Sequence, residues 1–536
     1  MWLAQVLRRH LERRPDALAL RDARRDVSWR ALDAEVRALA ALLGERVGPG
    51  GRVAVVSGNR VEVLEAYLAC ALAGLVAVPV NPQLTDREIA DILGPVEPTV
   101  ALVEPQYADR LAGSLPRPAV LDLTAVAELP PPATDGPAAD RPGAEGGDPA
   151  APVAVLHTSA TTGRAKGVLV DQRSFQANAF SWLADVGPEP GCVFLNAGPL
   201  FHGSMVIALD YLAAGGTVCV LDRFTPQGCL AALERWRVSH AFLVPSMVKL
   251  LLDARGLAAA DLSALELLLH GAAPMPAELA AEAERLLGAR TQTIFGITEG
   301  GGPVISLAPG TEPGPAPVSG AVCVGRPMMG VAVRFTDESG HPVPAGVIGE
   351  LEVRGDGLMR GYWKNPEATA ETLRAGWLRT KDLGCQDADG LVWIVDRRND
   401  LILRGGQNVY PAEIEHVLRR SPNVADVIVV PAPDPVWGQT PVAFVQPTAP
   451  GAFDPGELLD LCVAELAGYK RPSRFTAIER IPRNPAGKPL RTELRALAAA
   501  ATTTAAVTTA TATDAATTAA VTTATPTTAT EPELPR

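Results

Sequence analysis

Between Val155 and Val168 the sequence reads VLHTSATTGRAKGV: an apolar run ending at Leu156, then four hydroxyl residues, a glycine, a lysine and a second glycine. The hydroxyls of Thr158, Ser159, Thr161 and Thr162 can donate hydrogen bonds to phosphate oxygens. Gly163 and Gly167 let the backbone approach closely, and Lys166 brings a compact positive charge. One reading is a loop that holds nucleotide phosphates. The other is a solvated surface loop, the common fate of Ser/Thr/Gly clusters between periodic segments. The spacing does not fit Walker A, which needs G-x-x-x-x-G-K-[ST].

Other stretches carry comparable chemistry. Phe295 to Gly300 (FGITEG) offers an aromatic face on which a base can stack, and a carboxylate, Glu299, of the hard-oxygen kind that Mg2+ takes. The plain alternative for Thr298-Glu299 is a helix start. Asp382, within Arg379 to Gly384 (RTKDLG), can accept two hydrogen bonds from a diol or can cap a turn. Asp396 to Glu415 (DRRNDLILRGGQNVYPAEIE) joins a charged cluster, paired glycines and a helix start with Pro411 in its first turn. Pro482 to Arg491 (PRNPAGKPLR) holds Lys488 after Gly487, although a single lysine is by default a surface residue. Pro199 to Gly203 (PLFHG) carries His202, by default a partly buried histidine with one hydrogen bond.

The elements that must position these residues follow from the rest of the chain. Its 536 residues are too many for one hydrophobic core, and 47% hydrophobic with 20% charged residues marks a globular protein. A net charge of −12 argues against general attraction to nucleic acid or anionic membrane. Seven cysteines without a C-x-x-C pair suit reduced, buried thiols and a cytoplasmic setting. The N-terminus carries charge too early for a signal peptide, and the most apolar run, Leu68 to Val80, is too short to span a bilayer.

From Arg52 to Val103 apolar runs alternate with amphipathic stretches, a β-α-β-α-β rhythm that implies a mostly parallel sheet covered by helices. Leu129 to Pro152, rich in Pro, Gly and Ala, reads as an exposed loop. The rhythm resumes with strands expected at Val193–Asn196, Thr217–Leu221, Ala241–Val244, Leu265–Leu269 and Thr291–Phe295, and helices around Met205–Ala213, Pro226–Trp236 and Pro276–Leu287. Ligands of such sheets sit beyond the carboxyl ends of strands, so the Val155–Val168 loop and FGITEG, which each follow a strand, could face one crevice. The expected fold class is therefore α/β: a large N-terminal domain, 1–396, of mainly parallel sheets with flanking helices, plus a small β-rich subdomain over about 320–396. The charged cluster at 397–400 suits a hinge. A small α+β C-terminal domain spans 401–497, with a helix expected over Pro455–Leu466, capped by Asp454. The Ala/Thr-rich tail, 498–536, cannot bury enough apolar surface to repay its ordering entropy and is expected to be disordered.

In combination and order, five of these segments resemble the adenylate-forming superfamily of acyl-CoA synthetases, nonribosomal peptide adenylation domains and beetle luciferases, and the chain is most like an acyl-CoA synthetase. The resemblance runs from about Leu11 to Arg495. The first loop is similar to T-S-G-T-T-G-x-P-K-G, with Ala160 in place of a glycine and Ala165 in place of a proline. By this resemblance Thr158, Ser159, Thr161, Thr162 and Gly163 bind the nucleotide, together with Gly271, Ala272, Phe295, Gly296, Asp382 (ribose) and Arg397. Thr298, Lys166 and Glu299 are implied in catalysis, Glu299 also holding Mg2+. Lys381 replaces a family glycine, and Asn399 stands at the hinge position, usually Asp or Lys. Gly405 and Gly406 would line the path of a thiol. Lys488 looks like the catalytic lysine of the first half-reaction, carried on a mobile small domain.

The implied acid pocket includes His202, Gly271, Gly296, Ile297 and Gly301. Amino-acid-activating relatives carry an aspartate where this chain has His202, which implies an acid lacking an α-amine. A carboxylate attacking the α-phosphate of ATP brings anion to anion, so charge must be neutralised and the reactants aligned. The expected activity is ATP-dependent activation of a small-molecule carboxylic acid through an acyl-adenylate, then transfer to CoA, with AMP and pyrophosphate released. ATP, Mg2+ and CoA are the implied cofactors, in carboxylic or fatty acid metabolism. Alternatives are loading of an acid onto a carrier-protein thiol, and a catalytically degenerate nucleotide-binding scaffold. The chain could act as a monomer or a homodimer.

Overall fold

The apolar and amphipathic runs of Arg52–Val103 build parallel strands Arg52–Val56, Val76–Val80 and Val100–Val103, joined by helices Val61–Ala73 and Asp86–Val96. The second helix starts at a reciprocal cap: Glu88 N donates to Thr85 Oγ1 at 3.3 Å, and Thr85 N donates to Glu88 Oε2 at 2.8 Å. The most apolar run, Leu68–Val80, is the buried end of one helix plus the next strand, as the β-α-β rhythm implies. This computed structural model describes residues 3–111, 118–130, 148–158, 165–318, 320–397, 400–405, 407–434, 436–484 and 487–500.

Among the described residues the first three strands belong to a seven-stranded sheet. Its order is Gly361–Tyr362, Gly167–Asp171, Pro152–His157, Val76–Val80, Arg52–Val56, Val100–Val103, Ala119–Asp122. The last five are parallel, while Gly167–Asp171 and Gly361–Tyr362 are antiparallel additions. Pro79 has no N–H to offer, and Val76–Val80 registers with Pro152–His157 only at Ala77↔Ala154.

A fourteen-stranded sheet carries the second α/β run. Strands Arg290–Ile297, Leu267–Gly271, His240–Leu243 and Val193–Asn196 lie side by side and parallel, so their carboxyl ends share one edge. The expected Leu265–Leu269 and Ala241–Val244 strands are each shifted, by two residues and one. Runs of consecutive apolar residues have no period to mark an end. Beyond Arg290–Ile297 the same sheet turns antiparallel through Gly302–Leu307 into Val322–Pro327, Val392–Arg397, Trp377–Gln386, Gly349–Gly355 and Val331–Thr336.

Two compact units emerge: Met1–Asn399 with Arg483–Pro489, and Asp400–Pro482 with the chain from Leu490 onward. The second unit holds a five-stranded sheet and helices Pro411–Leu418 and Pro455–Glu465. Asp454 caps the latter, accepting from Gly456 N and Glu457 N. Residues 491–500 are helical, with Leu494 and Ala498, one turn apart, buried against Ile428, Val430 and Phe444. This corrects the tail boundary expected at 498, since alanines on a buried helix face pack as core. Residues 501–536, the Ala/Thr tract, lie outside the described residues, as do Ser159, Ala160, Thr161, Thr162, Gly163, Asn399, Gly406 and most of the Leu129–Pro152 loop. No helix among the described residues is long and apolar enough to cross a membrane.

Lys381, the departure from the family glycine, has φ +66° within the strand Trp377–Gln386. Its Cβ strains a left-handed backbone that glycine adopts freely, and the side chain offers only a 4.0 Å pairing with exposed Glu371 in return. Lys381→Gly is expected to stabilise the protein by about 1 kcal/mol, a rise of ~2–4 °C in thermal denaturation. An unchanged or lower Tm would show that the lysine side chain outweighs the backbone strain.

Candidate active site

The strands on either side of the phosphate-loop candidate pair antiparallel. Pro152–His157 and Gly167–Asp171 pair from Pro152↔Asp171 to His157↔Gly167. The base of the loop is closed by Thr158 N donating to Lys166 O at 3.1 Å, and Lys166 N to Thr158 Oγ1 at 3.4 Å. Gly167 is required by contact: a Cβ there would stand 2.7 Å from Val155 Cγ1 and 3.3 Å from Trp363 Cβ. Burial pushes the neighbouring His157 imidazole down to about 4, so it is neutral near pH 7 and adds no charge under the loop.

Tyr362, absent from the sequence-based site, joins this hairpin to Glu299. Strand Gly361–Tyr362 pairs with Gly167–Asp171 at Tyr362↔Val168, and Trp363 N donates to Gly167 O at 2.7 Å. Lys166 Nζ lies 4.9 Å from the Tyr362 ring centroid, and the Tyr362 hydroxyl donates to Glu299 Oε1 at 2.7 Å. Burial, reinforced by the Glu299 charge, raises the phenol well above its ordinary range and keeps it a donor. Nothing in the RGYW run around it distinguishes this tyrosine from any strand aromatic; its role rests on partners remote in sequence.

Phe295, Gly296 and Ile297 end the strand Arg290–Ile297, where a bulge between Phe295 and Gly296 breaks the register with Gly302–Leu307. Glu299 sits in a three-residue 3-10 turn, Thr298–Gly300, that leads into strand Gly302–Leu307, so no α-helix starts at Thr298-Glu299. Met359 N donates to Glu299 O at 2.9 Å and fixes the turn from outside. At the end of the adjacent strand, a Cβ on Gly271 would lie 2.2 Å from Ile294 O, and Ala272 adopts φ +65°. Gly301, φ +74°, packs so closely that a Cβ would meet Gly357 O at 2.3 Å.

Asp382 and Arg397 face each other in register across strands Trp377–Gln386 and Val392–Arg397. Arg397 Nε donates to Asp382 Oδ1 at 3.0 Å, while the buried Asp382 Oδ2 has no hydrogen-bond partner among the described residues. Burial raises the Asp382 carboxyl above its ordinary value, against the pull of the Arg397 and Lys488 charges.

The Arg483–Pro489 segment carries Lys488 on a tight turn. Asn484 N donates to Lys488 O and Lys488 N to Asn484 Oδ1, both at 2.9 Å, and Gly487 takes φ +78° with its Cα position against Val244 and Ser246. Burial lowers the Lys488 ammonium, the Arg397 charge adds to this, and Asp382 and Glu299 oppose it. His202, in the turn before helix Ser204–Ala214, is pushed down to about 4 by burial and by the Lys488 charge. Lys488 is thus electrostatically coupled to Asp382, Glu299, Arg397 and His202.

Of the expected residues, Arg397 and Asp382 are hydrogen-bonded, Lys488 feels the charges of Arg397, Asp382 and Glu299 and acts on His202, and Tyr362 joins Lys166 to Glu299. Gly405 lies in the second unit, φ +57°, where a Cβ would meet the Trp437 ring at 2.8 Å. Among the described residues no group of three His, Cys, Asp or Glu side chains forms a metal cage. A lone carboxylate fits Mg2+ arriving with ATP, because that ion is commonly held by one or two carboxylates plus substrate phosphates.

Residues 7–363 match the family model described as AMP-binding enzyme, and residues 413–488 match the AMP-binding enzyme C-terminal domain. The chain is 32% identical over 515 residues to the indoleacetate–CoA ligase of Aromatoleum aromaticum, covering 94% of this chain and 99% of that protein. It is 34% identical over 501 residues to a fatty acid–[acyl-carrier-protein] ligase, ScoC, of Streptomyces coeruleorubidus, covering 92% and 96%. Among solved structures, ATP-bound MatB from Rhodopseudomonas palustris is similar with a TM-score of 0.84 at 29% identity, covering 93% of this chain and 99% of that one.

Proposed function

The chain belongs to the adenylate-forming family of AMP-binding enzymes, as an AMP-forming acid–thiol ligase, and we propose that it activates a carboxylic acid lacking an α-amine and passes the acyl group to CoA. The observation that carries this reading is the convergence on Lys488 of a ribose-type carboxylate, Asp382, a phosphate-side carboxylate, Glu299, and a neutral histidine, His202. In an amino-acid-activating site an acidic group is needed for the substrate ammonium; a neutral imidazole offers none.

In this reading the acid carboxylate and the α-phosphate both lie against Lys488, whose ammonium screens their repulsion and holds them in line. The unpartnered Asp382 Oδ2 accepts from a ribose hydroxyl. Thr158 and Lys166 steady the departing pyrophosphate. Glu299 would hold Mg2+, which when bound would add to the neutralisation of phosphate charge. The 397–400 segment serves as the hinge that lets Lys488 withdraw before a thiol attacks the acyl carbonyl. The division of the chain at Asn399/Asp400 supports that assignment. Seven free cysteines, six of them buried, support a reducing, cytoplasmic setting.

The test is AMP formation across arylacetic, aryl and fatty acids, with and without CoA. CoA-dependent turnover of one acid class is the expected result. Turnover only with a phosphopantetheinylated carrier protein favours the second reading, which the likeness to the carrier-protein ligase supports. No AMP from any acid, with ATP still bound, overturns both.

A further inference from the structure

Tyr362 touches two groups that the proposed mechanism uses separately. Its hydroxyl donates to Glu299 Oε1 at 2.7 Å and its ring stands 4.9 Å from Lys166 Nζ. The tyrosine itself is held from several directions. Tyr362 N donates to Thr369 Oγ1 at 2.8 Å, its strand is registered on Gly167–Asp171, and the next residue ties back to Gly167 O. Beyond it, Trp363 Nε1 donates to Pro95 O at 3.1 Å and Lys364 pairs with Glu97 at 2.7 Å. Gly361, at φ +151°, packs against Thr369 where a Cβ would have 2.8 Å.

We propose that Tyr362 is a positioning residue of the first half-reaction: its phenol fixes one oxygen of the Glu299 carboxylate and its ring seats the Lys166 ammonium, so the metal-side and pyrophosphate-side groups are set as one unit. A phenol donor occupies Oε1 and restrains rotation of the carboxylate, which leaves Oε2 as the oxygen for the cation. The ring face attracts the ammonium through its quadrupole rather than through an opposing charge. The proposal rests on the adenylate-forming reading above.

Two variants separate this role from simple core filling. Tyr362→Phe keeps the ring and removes the hydroxyl. It is expected to weaken binding of Mn2+·ATP, read by water-proton relaxation, by roughly ten-fold, the scale of one hydrogen bond to a charged group. The Mg2+ concentration for half-maximal pyrophosphate exchange should rise to match, with metal-free ATP affinity unchanged. Tyr362→Leu removes the ring too and should in addition raise the KM for pyrophosphate in the exchange reaction; should it fail to fold, Tyr362→Phe carries the test. A Tyr362→Phe protein with wild-type Mn2+·ATP affinity and wild-type metal activation overturns the proposal. Glu299→Gln is the control. If it shifts metal dependence while Tyr362→Phe does not, only the positioning role fails; if it shifts nothing, the metal assignment to Glu299 fails and the proposal with it.

Discussion

Lys488→Ala is expected to lower acid-dependent ATP–pyrophosphate exchange on the order of 10^3-fold, while CoA-dependent consumption of a supplied acyl-adenylate stays within about two-fold of wild type. The asymmetry follows from what the ammonium faces. In the first half-reaction two anions meet, and removal of the ammonium set against both takes away a large part of the screening of their repulsion. Thiolysis of the adenylate attacks a neutral carbonyl and has no such demand. The lowered proton affinity of Lys488 adds a pH signature. The charged form is the active one, so exchange should fall as pH rises through the depressed pKa, at a lower pH than an ordinary lysine would impose. Equal loss of both half-reactions in Lys488→Ala would sink the assignment, because it would mean a structural role for the turn.

Asp382→Asn should raise the KM for ATP by roughly ten-fold or more, the cost of replacing a charged acceptor of a buried hydrogen bond. Its buried Oδ2 has no hydrogen-bond partner among the described residues, and the proposed ribose hydroxyl would meet that acceptor. The sign of the pH effect is set by the raised carboxyl pKa. As pH falls through that raised value the group protonates and loses acceptor strength, so ATP affinity should drop at a higher pH than an unperturbed aspartate would cause. Asp382→Asn should abolish that acid limb. The folded state of this group resists ionisation, so the stability it contributes is complete below the unfolded pKa and declines as pH rises through the folded one. The amide variant should therefore show no loss of melting temperature at neutral pH. Wild-type ATP affinity in Asp382→Asn would remove it from the nucleotide site.

Much of the fold was legible because local physics announces itself. Asp454, followed by proline and by Glu457, made a helix cap that the structure reproduces to within one residue at the far end. The β-α-β rhythm of Arg52–Val103 became parallel strands with helices between. Strand ends inside uniform leucine or valine runs were harder, as Leu267–Gly271 shows, since neither periodicity nor a breaker marks them. The site candidates came from the family resemblance, since by type alone Lys488 reads as a surface lysine and Thr298-Glu299 as a helix start. Tyr362 was not among them, because its meaning lies entirely in what two distant segments place beside it. Lys381 could be identified as a departure from sequence, yet its left-handed backbone is a property only the three-dimensional strand displays.

The register of Gly361–Tyr362 on Gly167–Asp171 has a topological consequence. Gly167–Asp171 is paired on its other side with Pro152–His157, so it stands between the two with both edges occupied. A substitution that shifts the register of Gly167–Asp171 would therefore displace the Tyr362 hydroxyl from Glu299 together with the strand that precedes Thr158.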